Sequence, residues 1–243
     1  VYLFLEEKLK VKNKNYIMTD KIDVIIIGAG IAGITTAYYL QKNFPDIKYK
    51  IIDSRSAVGG TWDQMRFPGV RADNDMYTYG FSFNPWQGPI IGKGQDIKNY
   101  INDTAEKFNI KKNILFDTKV ISSSWKINQW TTKTNHKNFT SQYVIFCTGS
   151  RDRDKPHLPK FKDENKYQGK IVHTQNWGDT DYKDKNVTII GSGCTAITMA
   201  PSIIKEAKAV TLVQRSPAWI INIDSHEKSS RRYKTFEVLK DYI

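Results

Sequence analysis

The chain has 243 residues and a formal net charge of +12; 40% of its residues are hydrophobic and 12% are aromatic. This apolar content can bury a core in one large domain or one and a half ordinary ones, which excludes a disordered chain. The lysines are scattered among asparagine and isoleucine, and no compact basic stripe carries interleaved aromatics. The sequence therefore disfavours a nucleic-acid-binding protein. A phosphate-rich anionic ligand or a mildly basic surface accounts for the charge equally well.

The N-terminal segment is predicted to be an appendage. Residues 1–17 form a non-native or disordered extension in this interpretation, because a lysine-rich stretch follows the apolar run Val1–Leu5 and Met18 directly precedes the first strand pattern. The run is too short to span a bilayer and fits no signal peptide, so we predict no transmembrane segment. The two cysteines, Cys147 and Cys194, fall inside strand and turn motifs. We interpret both as free thiols in a reducing compartment, the cytoplasm.

The opening of the chain alternates strand and helix patterns. Asp23–Ile27 is a continuous β-branched run, as expected of a buried parallel strand. A helix at Ile31–Asn43 and a strand at Tyr49–Asp53 follow. Gln95–Phe108 is predicted to be an amphipathic helix, because its apolar residues recur on one face. Those apolar residues are Ile97, Tyr100, Ile101 and Ala105.

The middle of the chain predicts antiparallel sheet and then a linker. Lys119–Thr140 alternates in polarity and is broken at Asn128 and Asn135, which indicates an antiparallel β-meander. Tyr143–Cys147 is predicted to be another buried strand. The polar stretch Asp152–Glu164 contains two prolines and is interpreted as an interdomain linker.

The last part of the chain repeats the opening pattern. A strand at Asn186–Ile190 is followed by a helix at Thr195–Glu206 and a strand at Val210–Val213. The sequence therefore predicts an α/β fold with two dinucleotide-binding, Rossmann-like units and an antiparallel β-meander. We expect the first unit to occupy residues 18–152 and the second, incomplete, to occupy residues 153–243.

The first chemical motif, Gly28-Ala29-Gly30-Ile31-Ala32-Gly33, opens the helix after the first strand, and Asp53 ends the next strand twenty positions later. In this context the glycines permit a tight turn, close approach of a pyrophosphate and close helix–strand packing. The helix N-terminus attracts the phosphates, and Asp53 accepts hydrogen bonds from a ribose 2′-OH. The alternative is a glycine-rich turn without a ligand. The predicted contacts are Gly28, Gly30, Ile31, Ala32, Gly33 and Asp53.

A second motif of the same kind is Gly191-Ser192-Gly193-Cys194-Thr195-Ala196. No acid ends its second strand, where Arg215 is found instead. A planar cation at this place favours a 2′-phosphate, so the sequence predicts NADPH rather than NADH as the ligand. The alternative is that Arg215 is an exposed surface arginine without a ligand. Two such motifs in one chain indicate two cofactors, a bound flavin and a hydride donor. The predicted contacts of the second motif are Gly191, Ser192, Gly193, Cys194, Thr195, Ala196, Arg215 and Ser216.

Further motifs carry a resemblance to a known family. Gly59-Gly60-Thr61-Trp62-Asp63 and the segment Arg66–Thr78 are similar to class B flavoprotein monooxygenases. Between the two nucleotide motifs, Tyr167-x-Gly169-x-x-x-His173-x-x-x-Trp177 resembles the Baeyer–Villiger fingerprint F-x-G-x-x-x-H-x-x-x-W-[P/D]. The likeness is therefore to the Baeyer–Villiger branch.

The fingerprint has one supporting position and two departures. Trp177 favours the Baeyer–Villiger branch, because N- and S-oxidising flavin-containing monooxygenases usually carry Phe or Tyr there. Tyr167 replaces Phe, which is a mild change, and Gly178 replaces Pro or Asp, which is a larger one. The resemblance runs from about Asp20 to Ala218, most of the chain.

The resemblance implies FAD at the first nucleotide motif and NADPH at the second. It implies that Asp73 is the catalytic residue beside the flavin and nicotinamide, that Arg71 lies by the NADPH, and that His173 orients the segment between the domains. It also implies FAD-binding roles for Gly60, Thr61, Trp62, Asp63, Tyr79 and Val120. We assign no residue to a metal ion.

If the family resemblance is set aside, the residue types alone leave the roles of several of these positions open. Trp62 offers an aromatic surface to a ring system but is equally a core tryptophan. Arg71 and Asp73 are close enough in sequence to form a salt bridge at a surface turn. His173 alone is more typical of a structural histidine with its hydrogen bonds satisfied.

The resemblance implies an FAD- and NADPH-dependent monooxygenase of Baeyer–Villiger type, which uses O₂ to oxygenate small ketones and sulfides through a C4a-peroxyflavin. The alternatives are an N- or S-oxygenating flavin-containing monooxygenase and an inactive nucleotide-binding fragment. Family members are much longer, so the arginine that stabilises the peroxyflavin and the substrate pocket are expected beyond Ile243. The chain is thus expected to be an N-terminal fragment with the nucleotide sites but without a complete active site.

Overall fold

A computed structural model describes residues 20–152, 154–216 and 218–220. The predicted extension at residues 1–17 and the start at Met18 lie outside this range. The α-helices are α1 (Ile31–Asn43), α2 (Thr61–Gln64), α3 (Met76–Tyr79), α4 (Gly94–Lys107) and α5 (Cys194–Ile203). Short 3₁₀ turns lie at Lys111–Asn113, Glu164–Lys166 and Thr174–Asn176.

The strands form one large sheet and one strand pair. They are β1 (Asp20–Ile27), β2 (Tyr49–Ile52), β3 (Ile114–Leu115), β4 (Val120–Lys126), β5 (Gln129–Thr134), β6 (Asn138–Phe146), β7 (Asn186–Ile190) and β8 (Ala209–Val213). The large sheet has the order β3-β2-β1-β6-β5-β4, and β7 pairs with β8.

Parallel and antiparallel pairing meet within the large sheet. β1 pairs in parallel with β2 and β6, so that Ile26 lies opposite both Ile51 and Ile145. β4, β5 and β6 pair antiparallel, which is the predicted meander. β6 is therefore both the last strand of the meander and the parallel neighbour of β1. The predicted α/β class is confirmed.

Helix α4 packs its apolar face on the main core. Ile97, Ile101 and Ala105 are fully buried in the cluster that covers one face of β1 and β2, and Tyr100 packs partly buried against it. The helical spacing of these residues in the sequence explains this burial, because they all fall on one side of the helix. The predicted amphipathic helix is confirmed, with its start at Gly94.

The second unit shares its core with a segment of the first. α5 ends at Ile203, three residues before the predicted end, and a turn follows in which the N–H groups of Glu206 and Ala207 share the Ile203 carbonyl. The buried residues of this core are Met65, Phe67, Ile189, Ala196, Met199 and Ile203. Two of them, Met65 and Phe67, follow α2 in the first unit. The loop after α2 is thus anchored on the second unit.

The prediction of a separate buried strand at Tyr143–Cys147 is wrong. These residues continue β6 as far as Phe146, and Tyr143 and Phe146 are 61% and 60% exposed. The register of β5 with β6 ends at Ser141. An apolar run predicts a strand, but it does not show whether other elements cover both of the strand's faces.

Both cysteines lie within the described residues. Cys147 and Cys194 are free thiols, as predicted, the first half-buried and the second exposed. Within the described ranges, every helix is too short or too polar to cross a membrane.

Candidate nucleotide-binding site

The turn between β1 and α1 accepts only glycine at two positions. Gly28 has φ +111°, and a Cβ atom there would approach the Cys147 carbonyl oxygen more closely than 3.0 Å. A Cβ atom on Gly33 would collide in the same way with the Gly28 carbonyl oxygen. The first glycine therefore makes the tight turn and the third allows α1 to pack against the turn, as the motif predicts.

The N-terminus of α1 is open to an anion. Gly30 is the N-cap, no side chain bonds to this end of the helix, and its first turn has no acidic residue. Ile31 is half-buried and Ala32 is exposed in that turn. The backbone N–H groups and the helix dipole make such an end favourable for phosphate.

Asp53 ends the neighbouring strand and faces the glycine turn. Its carboxylate accepts hydrogen bonds from the N–H of Ala29 at 2.6 Å and from the N–H of Arg55 at 2.9 Å, and the residue is only 3% exposed. Each carboxylate oxygen has more than one acceptor position. The predicted contact with a ribose hydroxyl is compatible with this arrangement and stays a prediction.

A cavity of about 190 Å³ opens beside Asp53. Gly28, Asp53 and Val120, all predicted contacts, are on its wall. The polar lining residues that the sequence reasoning missed are Ser54, Thr118, Lys119, Thr148 and Arg151. Ser54 could have been found, since it follows Asp53 directly, but the others reach the cavity from the meander and the β6 exit. The cavity has an acid and two basic residues at its wall, Asp53, Lys119 and Arg151, and its predicted role in binding a dinucleotide stays a prediction.

Trp62 and Tyr79 lie together. The Trp62 Nε1–H donates to the Tyr79 hydroxyl at 3.3 Å, and the two rings meet edge to face with centroids 6.2 Å apart. Both side chains are half-buried against the main core, whereas Thr61 is exposed. Trp62 thus serves as a core residue on one side and keeps part of its surface available on the other.

Asp63 is a buried acid among cations. It is 2% exposed, and its carboxylate forms ion pairs with Arg55, with Lys98 at 2.7 Å and with Arg66 at 3.2 Å. Burial by itself would raise the pKa of Asp63, but the hydrogen bonds from Lys98 and Arg55 outweigh it and hold that pKa below its usual value. Asp63 is therefore ionised at neutral pH.

Asp73 reaches the second nucleotide motif. Its carboxylate lies near the Cys194 thiol, and the interaction between the two groups, with partial burial, raises the pKa of Cys194. Arg71 is exposed and pairs through its backbone with Lys93. Among the described residues the ion pairs do not join Arg71 to Asp73, so the surface salt bridge left open by the sequence is not formed. Asp73 is exposed and lies instead close to the start of α5.

The second motif repeats the geometry of the first. Gly191 has φ +138°, a backbone conformation that favours glycine, and Gly193 is the N-cap of α5. No side chain caps this helix and no acid lies in its first turn. The other predicted positions lie on this turn or after β8: Ser192 and Thr195 half-buried, Ala196 buried, Arg215 and Ser216 exposed. The exposed Arg215 is available to a ligand bound at the end of β8.

His173 caps a short turn in the segment that precedes the second unit. Its Nδ1 accepts a hydrogen bond from the Gln175 N–H at 3.2 Å. Gln175, which sequence reasoning missed, is 7% exposed and donates from its side chain to the Asp152 carbonyl at 2.6 Å. Trp177 packs against the second core. The histidine thus holds the backbone of this turn, and the positioning role that the resemblance implies for it stays a prediction.

The sequence of residues 22–234 matches the family described as pyridine nucleotide-disulphide oxidoreductase. The chain belongs to this family. It is 41% identical over 214 residues to the FAD-containing monooxygenase EthA of Mycobacterium tuberculosis, an alignment that covers 84% of this chain and 44% of the relative. It is 40% identical over 218 residues to the probable FAD-binding monooxygenase AlmA of Acinetobacter sp, covering 86% and 44%. The chain thus spans a little under half the length of these relatives.

Solved structures show the same likeness. The fold superposes on oxidized steroid monooxygenase bound to NADP with a TM-score of 0.78 and 26% identity, covering 91% of this chain and 44% of that one. It superposes on the OTEMO complex with FAD and NADP with a TM-score of 0.75 and 26% identity, covering 90% and 44%. The family resemblance drawn from the sequence is confirmed, and the expected cofactors are those bound in the OTEMO complex. The roles of individual site residues stay predictions.

Proposed function

We propose that the protein containing this chain binds FAD at the N-terminus of α1 and NADPH at the N-terminus of α5. The observation that carries the proposal is a pair of glycine-capped helix ends, each without a side-chain cap or an acidic residue in its first turn. Asp53 beside α1 favours an unphosphorylated ribose, and Arg215 beside α5 favours a 2′-phosphate. The 2′-phosphate distinguishes NADPH from NADH.

The residues of this chain bind and position the two cofactors. Gly28 and Gly33 shape the turn that receives the pyrophosphate of FAD, and the wall around Asp53 and Val120 holds its adenosine end. Asp73 stands where the two units meet, beside Cys194. FAD, once reduced by NADPH, supplies the chemistry that activates O₂. The role of the protein is to hold the flavin and the hydride donor in a fixed position relative to each other.

We propose further that the reaction is a Baeyer–Villiger oxygenation, in which a small ketone is converted to an ester or lactone and a thioether to a sulfoxide. Trp177 and the motif around His173 support this reaction, as do relatives described as FAD-containing monooxygenases. The cytoplasm is the proposed location, in keeping with two free thiols.

One observation favours the second candidate, an N- or S-oxygenating flavin-containing monooxygenase. Gly178, where the fingerprint has Pro or Asp, has φ +55°. The ring of proline fixes φ near −65°, so the backbone at this position differs from one that proline could occupy. The segment after Trp177 therefore departs in conformation from the proline form of the fingerprint, whereas aspartate adopts such a φ, as Asp184 does here at +55°.

The test offers simple ketones, thioethers and amines to the protein made from the complete reading frame, with FAD, NADPH and O₂. We expect esters or lactones as well as sulfoxides. Sulfoxides and N-oxides without any ester would establish the second candidate. Tight binding of both nucleotides without any oxygenated product would indicate a nucleotide-binding protein with no oxygenase activity.

A further inference from the structure

Asp63 joins three parts of the first unit through one buried carboxylate. Arg55 comes from the loop after β2, Lys98 from the second turn of α4, and Asp63 itself from α2. Arg55 also donates from its guanidinium to the Asp63 carbonyl at 3.2 Å. A carboxylate that is 2% exposed is stable as an anion only if cations and hydrogen bonds replace its water. The two partly buried cations therefore fix where α2 lies.

The turn before α2 lies between this cluster and the glycine turn of α1. Gly59 has φ +131°, and a Cβ atom on it would stand 3.3 Å from the Cβ of Asp63 and from the Cγ of Lys98. On the other side, the Gly59 N–H donates to the Ala29 carbonyl at 3.2 Å. A Cβ atom on Gly30 would meet the Gly60 Cα at 3.6 Å. The Gly59–Gly60 turn is thus held between the Asp63–Lys98 pair and the proposed phosphate site.

The same cluster is connected to the acid at the end of β2. The Arg55 N–H donates to one Asp53 carboxylate oxygen, and the Ala29 N–H donates to the other. Arg55 therefore links the two acids, because its side chain pairs with Asp63 and its backbone N–H bonds to Asp53. Asp53 also accepts the hydrogen bond from Ala29 in the glycine turn. Hydrogen bonds connected in this way orient the side chains and backbone that face a ligand, even though Asp63 is too buried to face it.

We propose that Asp63 is a positioning residue for the flavin nucleotide, which acts through Lys98 and Arg55 to hold the Gly59–Gly60 turn against the N-terminus of α1. This inference rests on the proposed binding of FAD at α1. It assigns Asp63 to the cofactor site indirectly. Arg66, the third cation, has a side chain that is 63% exposed, so its ion pair with Asp63 adds little.

The experiment replaces Lys98 and Arg66, because removing the acid itself would leave two partly buried cations unpaired at once and could prevent folding. Lys98→Met keeps most of the aliphatic stem beside Gly59 and removes the charge. Lys98→Arg keeps the charge, and Arg66→Gln is the matched control at the exposed partner. The apoprotein of each full-length variant is titrated with FAD, and the dissociation constant is measured by quenching of flavin fluorescence. The melting temperature of each apoprotein is measured alongside.

We expect Lys98→Met to raise the dissociation constant for FAD about tenfold, the loss typical of one charge-assisted hydrogen bond that orders a site. Lys98→Arg should restore most of the affinity, and Arg66→Gln should stay within about twofold of the unaltered protein, as expected of an exposed pair. Lys98→Met with a lowered melting temperature but unchanged FAD affinity would show a purely structural role and overturn the inference. An unaltered protein that binds no FAD would overturn the proposed function as well, so the two failures are distinguishable.

Discussion

At the scale of single residues, Arg215 is the group expected to separate NADPH from NADH. It lies exposed just after β8, at the strand end where the first unit carries Asp53. We predict that Arg215→Ala raises the KM for NADPH about tenfold or more, because a charged contact to the 2′-phosphate is lost, and leaves the KM for NADH nearly unchanged. Steady-state flavin reduction with both donors measures the difference.

Lys208→Ala is the control for Arg215, since Lys208 is an exposed cation at the opposite end of the same strand. It should change neither KM. Equal efficiency of NADPH and NADH in the unaltered protein would contradict the role given to Arg215.

At the scale of elements, the contact between the loop after α2 and helix α5 depends on Gly69. This residue has φ +78°, and a Cβ atom on it would stand 2.7 Å from the Thr198 carbonyl and closer than 3.0 Å to the Ser202 hydroxyl. We predict that Gly69→Ala lowers the free energy of unfolding by about 2–5 kcal/mol, from backbone strain of about 1–2 kcal/mol and overpacking of about 1–3 kcal/mol. Chemical denaturation of the two proteins measures this difference in the free energy of unfolding.

Gly178→Ala separates strain from packing. Gly178 also has a positive φ, +55°, but a Cβ atom there meets nothing within 4 Å. Its replacement should cost only the strain, about 1 kcal/mol. Equal costs for the two variants would mean that α5 is not packed closely on the loop.

At the scale of the whole molecule, the C-terminal half of β6 presents apolar side chains to solvent. Tyr143 and Phe146 are more than half exposed, although their parallel neighbour β1 is buried. Exposed apolar surface on a strand promotes association with other chains. We predict that the double variant Tyr143→Thr, Phe146→Thr lowers the self-associated fraction of the 243-residue chain at least about twofold, as measured by light scattering.

Trp125→Thr is the comparison for this surface. Trp125 is 48% exposed on β4 and stacks edge to face with Trp130 across the hairpin. Its replacement removes a similar exposed ring away from β6. If it reduces self-association as much as the double variant does, the surface on β6 is not the main site of association.

The features that could be predicted from the sequence are those that depend on neighbours along the chain. Local patterns predicted the elements that contain them to within a few residues. These patterns are the β-branched run of β1, the helical spacing in α4, and the asparagines Asn128 and Asn135 in the turns of the meander. The glycine motifs likewise predicted the positions of both nucleotide turns. Only residues without a Cβ atom fit where backbone approaches backbone, as at Gly28 and Gly33.

Contacts between groups that are distant in sequence could not be predicted and became visible in the folded chain. Asp63 was expected to contact the cofactor, but nothing in its motif indicated that Lys98, on another helix, would neutralise it. The contact of Asp73 with Cys194 and the burial of Met65 and Phe67 in the second core join segments more than a hundred residues apart. The exposure of Tyr143 has the same origin, because an apolar strand residue is buried only if another element covers its face. Such partners depend on how complete elements pack, and the pattern of one segment carries no information about the segment against which it will lie.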